Sequence, residues 1–419
     1  MKDFPSLPQP LPPDNGKGRG VRSGFPPLPP EGRVIGRGAG GEGLSGDIQH
    51  VHDPVLAKSE GKWHLFATGN GIPYRISDDG VSWKYVKEIF TTLPAWHKEL
   101  VPGTRNPWAP DISFWGGRWR LFYSVSTFGS QRSAIGVASC EKLGGDGWRD
   151  DGPVFTSLKG DPYNAIDPNI FVEKDGTPWL SFGSFWQGIF LLKLDPKTGK
   201  PASEPKCIAA RPGSTAIEAP FITQRGGWYY VFVSHDFCCR GVNSTYKSVV
   251  GRSKKIEGPY LDHESKPLLQ GGGTVVSQGQ GRWRGPGHCA VVGDTFLCHA
   301  YDAENNGIPT LFMSELRWDR SGWPSLKDQP KPPKWTGLIG AWEHTPQGGA
   351  ATMLTFKADG TTSAPGGTWS SEGLMVTLHW PDTKAPGGAW QDKLIVAKDF
   401  ATYQGTNQQG QALRGRRVA

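Results

Sequence analysis

The sequence lacks any long apolar run. None of its 419 residues lies in an apolar stretch that approaches the roughly 20 needed for a membrane-spanning helix. The start, MKDFPSLPQP, has no apolar core behind a positive end, so no signal peptide is visible. Helical periodicity is also missing, whereas 58 Gly, 36 Pro and 18 Trp favour short strands and turns. We therefore expect an all-β protein without a membrane partner.

Clusters of basic residues are also absent from most of the chain, although its net charge is +7. Residues 46–326 hold 30 basic and 28 acidic residues, so the excess lies at the two ends. A phosphate-binding surface needs clustered Lys and Arg, and we therefore expect no nucleic-acid partner. The six cysteines have neither zinc-site nor thioredoxin-like spacing. The six cysteines could all be free buried thiols, or Cys289 and Cys298 could form a disulfide, and the sequence leaves both alternatives open.

One phrase recurs five times between Gly46 and Leu326. Each copy has a proline, a short apolar strand, a turn containing glycine and a second apolar strand, usually rich in aromatics, which is typical of a hairpin. HDPVLAKSEGKWHLFATG (52–69) is one copy and WAPDISFWGGRWRLFYSVS (108–126) is the next. The aligned prolines, at spacings of 56, 58, 52 and 66 residues, are Pro54, Pro110, Pro168, Pro220 and Pro286.

This repeat predicts a five-bladed β-propeller over 46–326. A β-sandwich is the alternative, but it would not restart the same phrase five times. Residues 1–45, rich in Pro and Gly, are expected to be disordered. A Pro- and Lys-rich linker at 327–334 precedes strand–turn–strand phrases in 335–419, which predict a small antiparallel β-barrel or sandwich.

Three carboxylates recur in phase with the repeat. Asp53 and Asp167 precede their aligned prolines, and Glu218 stands two places before Pro220. The start of each innermost propeller strand faces the central channel, so these side chains should converge. Each Asp alone could simply cap a turn. Clustered acids raise at least one pKa, however, and paired carboxylates are the apparatus of glycoside hydrolysis.

A set of motifs in this region resembles glycoside hydrolase family 43, and most closely its endo-α-1,5-L-arabinanase branch. The motifs are VHDPV (51–55), NPWAPDISFWGGRWRLFYSVSTFGS (106–130), NAIDPNIF (164–171), SFW (184–186), IEAPFI (217–222), FCCRGVNSTYKSVVGRS (237–253) and PGHCAVV (286–292). The resemblance implies a five-bladed propeller that cleaves the arabinan side chains of pectin.

By position, the resemblance implies that Asp53 is the general base, Glu218 the general acid and Asp167 a modulator of the acid's pKa. Inversion at the anomeric carbon is implied too, which requires about 6.5–9.5 Å between acid and base. The implied sugar contacts are Trp108, Phe128, Gly129, Asn164, Ala165, Ile166, Ser184, Phe185 and Trp186. His288 matches a histidine that helps to hold a calcium ion mostly through waters.

Two other functions remain alternatives. One is an exo-acting α-L-arabinofuranosidase or β-xylosidase on the same propeller, and the other is a non-catalytic carbohydrate-binding propeller. We expect arabinan or arabino-oligosaccharides as substrate, calcium as the one cofactor and a monomeric protein. The substrate implies a secreted or periplasmic location.

Overall fold

Five sheets follow one another along the chain in the computed structural model and form the predicted five-bladed propeller. Their strands pair antiparallel, except for a two-residue parallel pairing of Ser45–Gly46 in the first sheet. The structure describes residues 43–327, 338–357, 361–372, 374–382, 389–397 and 399–418. The predicted disordered leader, up to residue 42, and the predicted linker, beyond Lys327, lie outside these residues. Within them, no helix has the length and apolar character needed to cross a membrane.

The strands of each blade follow in chain order. Blade 1 has β1 (Ser45–Gly46), β2 (His52–Ser59), β3 (Lys62–Thr68), β4 (Pro73–Ser77) and β5 (Ser82–Glu88), and helix α1 (Trp96–Leu100) follows it. Blade 2 has β6 (Trp108–Trp115), β7 (Arg118–Val125), β8 (Ser133–Cys140) and β9 (Arg149–Ser157). Blade 3 has β10 (Asn169–Val172), β11 (Pro178–Phe182), β12 (Ile189–Lys193) and β13 (Lys206–Ala209).

Blades 4 and 5 complete the propeller. Blade 4 has β14 (Ile217–Arg225), β15 (Trp228–His235), β16 (Lys247–Ser253) and β17 (Thr274–Ser277), with 3-10 turns at Gly241–Asn243 and Leu268–Gln270. Blade 5 has β18 (Trp283–Val292), β19 (Thr295–Asp302), β20 (Ile308–Trp318) and β21 (Pro324–Leu326), with a 3-10 turn at Ala303–Asn305.

The innermost strand of each blade, which is β2 in blade 1, takes part in a closed ring. β2 contacts β6, the contacts continue through β10, β14 and β18, and β18 returns to β2. Backbone hydrogen bonds from Leu311 to Ile48 (2.8 Å) and from Val51 to Pro309 (3.1 Å) join blade 5 to the chain just before β2. Of the second strands, counted outward from the channel, β19 is buried along its whole length because neighbouring blades cover both faces of each sheet.

A backbone bend recurs at one position of every blade. Positive φ angles of 42–57° occur at the residues Asp53, Ala109, Asp167, Ala219 and His288. The first four precede the aligned prolines, as the repeat predicts. In blade 5 the equivalent residue is His288, so Cys289 and not Pro286 occupies the place of the proline. The alignment on Pro286 was therefore wrong by three residues, because β18 has two register shifts, between Arg284 and Gly287 and between Gly287 and Ala290.

Each bend is held by the blade before it. The bent residue's N–H donates to a side chain in all five blades, and in four of them that side chain lies on the second strand of the preceding blade. The pairs are Asp53 to His299 Nδ1 (3.2 Å), Ala109 to Thr68 Oγ1 (2.6 Å), Asp167 to Ser124 Oγ (2.9 Å), Ala219 to Asp167 Oδ2 (3.2 Å) and His288 to Ser234 Oγ (2.8 Å).

The C-terminal region forms one antiparallel sheet, ordered β23-β22-β28-β27-β26-β25-β24. Its strands are β22 (Gly340–Pro346), β23 (Thr352–Phe356), β24 (Thr368–Glu372), β25 (Met375–Pro381), β26 (Ala389–Val396), β27 (Thr402–Asn407) and β28 (Ala412–Arg417). Bridges between Phe356 and Thr362 and between Thr361 and Thr368 link the two edge strands. The sheet thus closes into a small barrel, with Trp342 fully buried in its core.

We predict that Ser124→Ala destabilises the propeller. The substitution leaves the buried Asp167 amide without an acceptor, which should lower the free energy of unfolding by about 1–3 kcal/mol. Ser139→Ala is the matched control, because the buried Ser139 hydroxyl has no hydrogen-bond partner among the described residues. Urea unfolding of both variants measures the difference. Equal stability of the two variants would contradict the proposed role of the Ser124 hydroxyl.

Candidate active site

Asp53 lies within a group of three imidazoles. Its Oδ1 is 2.9 Å from His52 Nδ1, 3.1 Å from His288 Nδ1 and 3.4 Å from His299 Nδ1, and its Oδ2 accepts a 2.6 Å hydrogen bond from Thr68. Because His288 occupies the same place in blade 5 as Asp53 in blade 1, the ring of bends brings the two together. Both oxygens of this buried carboxylate are therefore positioned by neighbouring side chains.

Opposite charges keep Asp53 ionised. Burial alone would raise the pKa of Asp53, but the positive charges of His52 and His288 outweigh it and hold that pKa well below its ordinary value. Burial also opposes the charge on the two histidines, yet Asp53 raises the pKa of His52 to about 10 and that of His288 to about 9. Burial lowers the pKa of His299 to about 3, so His299 is neutral and its Nδ1 accepts the Asp53 N–H.

Asp167 and Glu218 form the other half of the site. Glu218 immediately precedes Ala219, whose N–H donates to Asp167 Oδ2. The Ser184 hydroxyl donates to Glu218 Oε2 at 2.6 Å, and Tyr246 hydrogen-bonds to the same carboxyl group. Both acids are buried. The three predicted acids are thus brought together, from blades 1, 3 and 4.

Burial and mutual repulsion favour a proton on the Asp167–Glu218 pair. Burial raises the pKa of Asp167 to about 8, and the negative charges of Glu218 and Asp53 add to this while His288 opposes it. Burial likewise raises the pKa of Glu218, against the hydrogen bonds from Ser184 and Tyr246. At neutral pH the site therefore contains one firmly ionised acid, Asp53, and a pair that retains a proton.

The predicted sugar contacts divide into exposed and buried groups. The Phe128 side chain is 88% exposed and lies beside the exposed Gly129, whereas Trp108, Phe185 and Trp186 are partly exposed. The remaining predicted contacts are buried: Asn164, Ala165, Ile166 and Ser184.

Three of the buried residues predicted to contact sugar form hydrogen bonds to other groups of the protein. Asn164 Oδ1 accepts a 2.7 Å bond from Ser133, and the Ala165 N–H donates to Ser157. Ser184 is bonded to Glu218, as described above. In this structure the Asn164 carbonyl, the Ala165 amide and the Ser184 hydroxyl therefore support the site from within, and the aromatic side chains offer the surface for a ligand.

Sequence reasoning missed several neighbours of the acids. His52 Nε2 lies 2.9 Å from the Tyr301 hydroxyl, which also accepts the Cys239 N–H at 2.7 Å. The His52 ring stacks on His299 at 3.7 Å between centroids. Phe237 lies beside Phe185, with 6.1 Å between ring centroids. His52 could have been found, since it stands next to Asp53 at the place Glu218 holds in blade 4.

The donor atoms near His288 do not by themselves make a calcium site. Among the described residues, the side chains grouped closely enough to hold a metal ion are His52, Asp53 and His299. Calcium prefers six to eight oxygen ligands, whereas this group offers two imidazoles and one carboxylate. His288 itself already uses Nδ1 on Asp53.

The similarity of this chain to known proteins lies mainly in the propeller. A sequence profile described as Glycosyl hydrolases family 43 matches residues 48–324. The extracellular endo-alpha-(1->5)-L-arabinanase 1 of Bacillus subtilis (strain 168) is 49% identical over 282 residues, covering 66% of this chain and 87% of that protein. The extracellular exo-alpha-(1->5)-L-arabinofuranosidase ArbA of Cellvibrio japonicus (strain Ueda107) is 41% identical over 302 residues, covering 67% and 87%.

A solved structure has the same fold. The GH43 endo-arabinanase from Bacillus licheniformis superposes with a TM-score of 0.66 at 48% sequence identity. The match covers 67% of this chain and 99% of that one.

We predict that Ser184→Ala raises the pKa of Glu218 further. The Ser184 hydroxyl donates to the carboxylate and stabilises its ionised form, so its loss should raise the pKa of Glu218 further above its ordinary value. ¹³C NMR of the glutamate side-chain carboxyls measures the shift, with Glu218→Gln assigning the resonance. Ser181→Ala removes an equally buried hydroxyl that bonds to Asn169 and should leave the titration unchanged. An unchanged pKa in Ser184→Ala would show that this bond does not control Glu218.

Proposed function

The chain belongs to glycosyl hydrolase family 43, and on that premise we propose that it hydrolyses internal α-1,5-L-arabinofuranosidic bonds of arabinan with inversion. It is a glycoside hydrolase, and the names of its relatives support arabinan as its substrate. The observation that carries the assignment of base and acid is the contrast between Asp53, with a lowered pKa, and Glu218, with a raised one. Two carboxyls with separated pKa values are what an acid and a base require.

Asp53 is the general base in this proposal. As an anion it accepts a proton from the water that attacks the anomeric carbon. Thr68 holds Oδ2 while His52 and His288 hold Oδ1, so the carboxylate has one orientation. The flanking cations lower its basicity, but they also keep it unprotonated in acidic solution.

Glu218 is the general acid. It donates its proton to the glycosidic oxygen as the bond between that oxygen and the anomeric carbon breaks. The water oxygen bonds to the opposite face of the same carbon, which leaves Asp53 protonated and Glu218 ionised until both exchange protons with solvent. Inversion requires space for that water, and we expect about 6.5–9.5 Å between the two carboxyls.

Asp167 modulates the acid. It shares the retained proton with Glu218 and is fixed by the Ala219 N–H at 3.2 Å, the amide next to Glu218 in sequence. A shift of the proton toward Glu218 leaves Asp167 as an anion that disfavours ionisation of Glu218. Asp167 thereby keeps Glu218 able to donate near neutral pH.

Aromatic side chains provide the sugar-binding surface. We assign Phe128 and Trp108 as stacking walls and Phe185 and Trp186, next to Ser184, as further sugar contacts, since accessible aromatic rings suit the apolar faces of sugars. The 88% exposure of Phe128 is consistent with an open groove that accepts the middle of a chain.

The exo-acting alternative has one observation in its favour, the 41% identity to a relative named as an exo-acting enzyme. We predict that digestion of debranched linear arabinan releases mixed arabino-oligosaccharides early, because an internal cut produces two chains. Sizing of the early products by chromatography measures this. Arabinose alone, or one product of constant length, would contradict the endo proposal.

Glu218→Gln is the control for that digestion. The variant keeps the shape of the side chain but has no proton of suitable acidity, so hydrolysis should fall by about 10²–10⁴-fold. Hydrolysis at the rate of the unchanged protein would contradict the assigned role of Glu218.

We also propose that a calcium ion, which takes most of its ligands from water, binds beside His288 once that histidine has lost its proton. Dialysed protein should then retain calcium in stoichiometric amount by elemental analysis, and EDTA or His288→Ala should remove it. His263→Ala is the control, since His263 is exposed in blade 4 and should not affect calcium content. Absence of calcium from the dialysed protein would contradict the proposal.

We further propose that the protein is secreted and monomeric. Secretion agrees with the names of its relatives, which are called extracellular.

A further inference from the structure

The outer face of the C-terminal barrel contains a shallow depression of about 490 Å³. Side chains from four adjacent strands, β22, β28, β27 and β26, line it. We call it the arginine face and define it by the residues Glu343, Thr345, Ile395, Gln404, Arg414 and Arg416. No part of the proposed catalytic mechanism uses this face.

Strand pairing places the two arginines side by side. Arg414 and Arg416 alternate with the buried Leu413 and Gly415, so both point outward, about 7 Å apart along β28. Register then aligns Thr345 and Gln404 on either side of Arg414. Hydroxyl and amide groups therefore flank the guanidinium groups.

Positive charge exceeds negative charge on this face. Arg416 bonds through Nε and Nη2 to Glu343 Oε2 at 3.1 and 2.9 Å, yet its side chain remains 73% exposed. Over the described residues, Arg414 forms no ion pair. Lys393 on β26 is also exposed and forms no ion pair with the described residues. It lies on the same side of β26 as Ile395. Counted over the described residues, one carboxylate is thus set against the two arginines and the neighbouring Lys393.

The mixture of groups identifies the chemistry of the ligand. A guanidinium pairs bidentately with a carboxylate, and Gln and Thr hydrogen-bond to hydroxyls. Ile395, 57% exposed, offers an apolar surface to the C–H groups of a sugar ring. Three cations on two strands, β28 and β26, are too sparse for the phosphates of a nucleic acid. A chain of sugar acids supplies carboxylates, hydroxyls and ring faces together.

We propose that the arginine face binds polyuronate, the acidic type of cell-wall polysaccharide. The inference deepens the proposed function and rests on it, because arabinan chains occur as side chains of pectin, which is rich in uronate. Binding to the acidic polymer would concentrate the enzyme near a substrate that is itself uncharged.

Affinity electrophoresis of the full chain tests the proposal, with polygalacturonate, linear arabinan or no polymer in the gel. Polygalacturonate should retard the protein, and added salt should weaken the retardation. Arg414→Glu/Arg416→Glu should weaken binding at least about tenfold, since two charge-assisted contacts are lost. Lys174→Glu/Arg320→Glu makes the same change in net charge at exposed positions of the propeller and should bind like the unchanged protein.

Two further variants sharpen the test. Glu343→Gln should strengthen binding because it frees Arg416 from its ion pair. Arg414→Lys/Arg416→Lys keeps both charges but loses the bidentate geometry, so it should bind with intermediate strength. This conservative pair also provides a folded variant if the charge reversal destabilises the barrel.

Three results would overturn the proposal: unchanged binding in the charge-reversed pair, an equal loss in the propeller control, and equal retardation by linear arabinan. Arabinan hydrolysis by the same samples separates this inference from the proposed function. A protein that hydrolyses arabinan but ignores polygalacturonate overturns the inference alone. One that binds polygalacturonate without hydrolysing arabinan overturns the proposed function alone.

Discussion

The propeller depends on the backbone bend at the start of each inner strand. A non-glycine residue with positive φ costs about 1–2 kcal/mol, and the five bends use Asp, Ala or His. In all five blades the bent amide is bonded to a side chain of the preceding blade, so neighbouring blades stabilise each other's unfavourable conformation. Because His299 of blade 5 holds Asp53 of blade 1, this set of bonds also closes the ring.

The same bends place the chemical groups. Each one turns its side chain toward the channel, so the residue types at five sequence positions decide what meets there. Alanine at 109 and 219 leaves space, and acids at 53 and 167 with histidine at 288 provide charge. In blade 4 the acid stands one position earlier, as Glu218, and Ala219 at the bend donates its amide to Asp167. A fold that repeats one bend can therefore assemble an asymmetric site by changing single residues.

The repeat predicted the architecture and the three acids because proline, strand, turn and aromatic recur at near-constant spacing. It failed in blade 5, where two register shifts move the equivalent position from Pro286 to Cys289. His299, Tyr301 and Tyr246 could not be predicted, because no local pattern contains their contacts. His299 and Tyr301 reach blade 1 through packing between blades, and Tyr246 reaches Glu218 across the strands of blade 4. Thr68 shows the same limit: it bonds both Asp53 and the Ala109 amide, a pairing that no local pattern contains.

Charge balance explains how a buried site can keep an acid protonated. His52 and His288 contribute two positive charges and Asp53 one negative charge, so one further negative charge completes neutrality. Asp167 and Glu218 can supply it while they share one proton, whereas two anions there would leave a net buried charge. The histidines thus act on both halves of the site. They hold the base ionised by direct contact, and they set the number of protons that the acid pair retains.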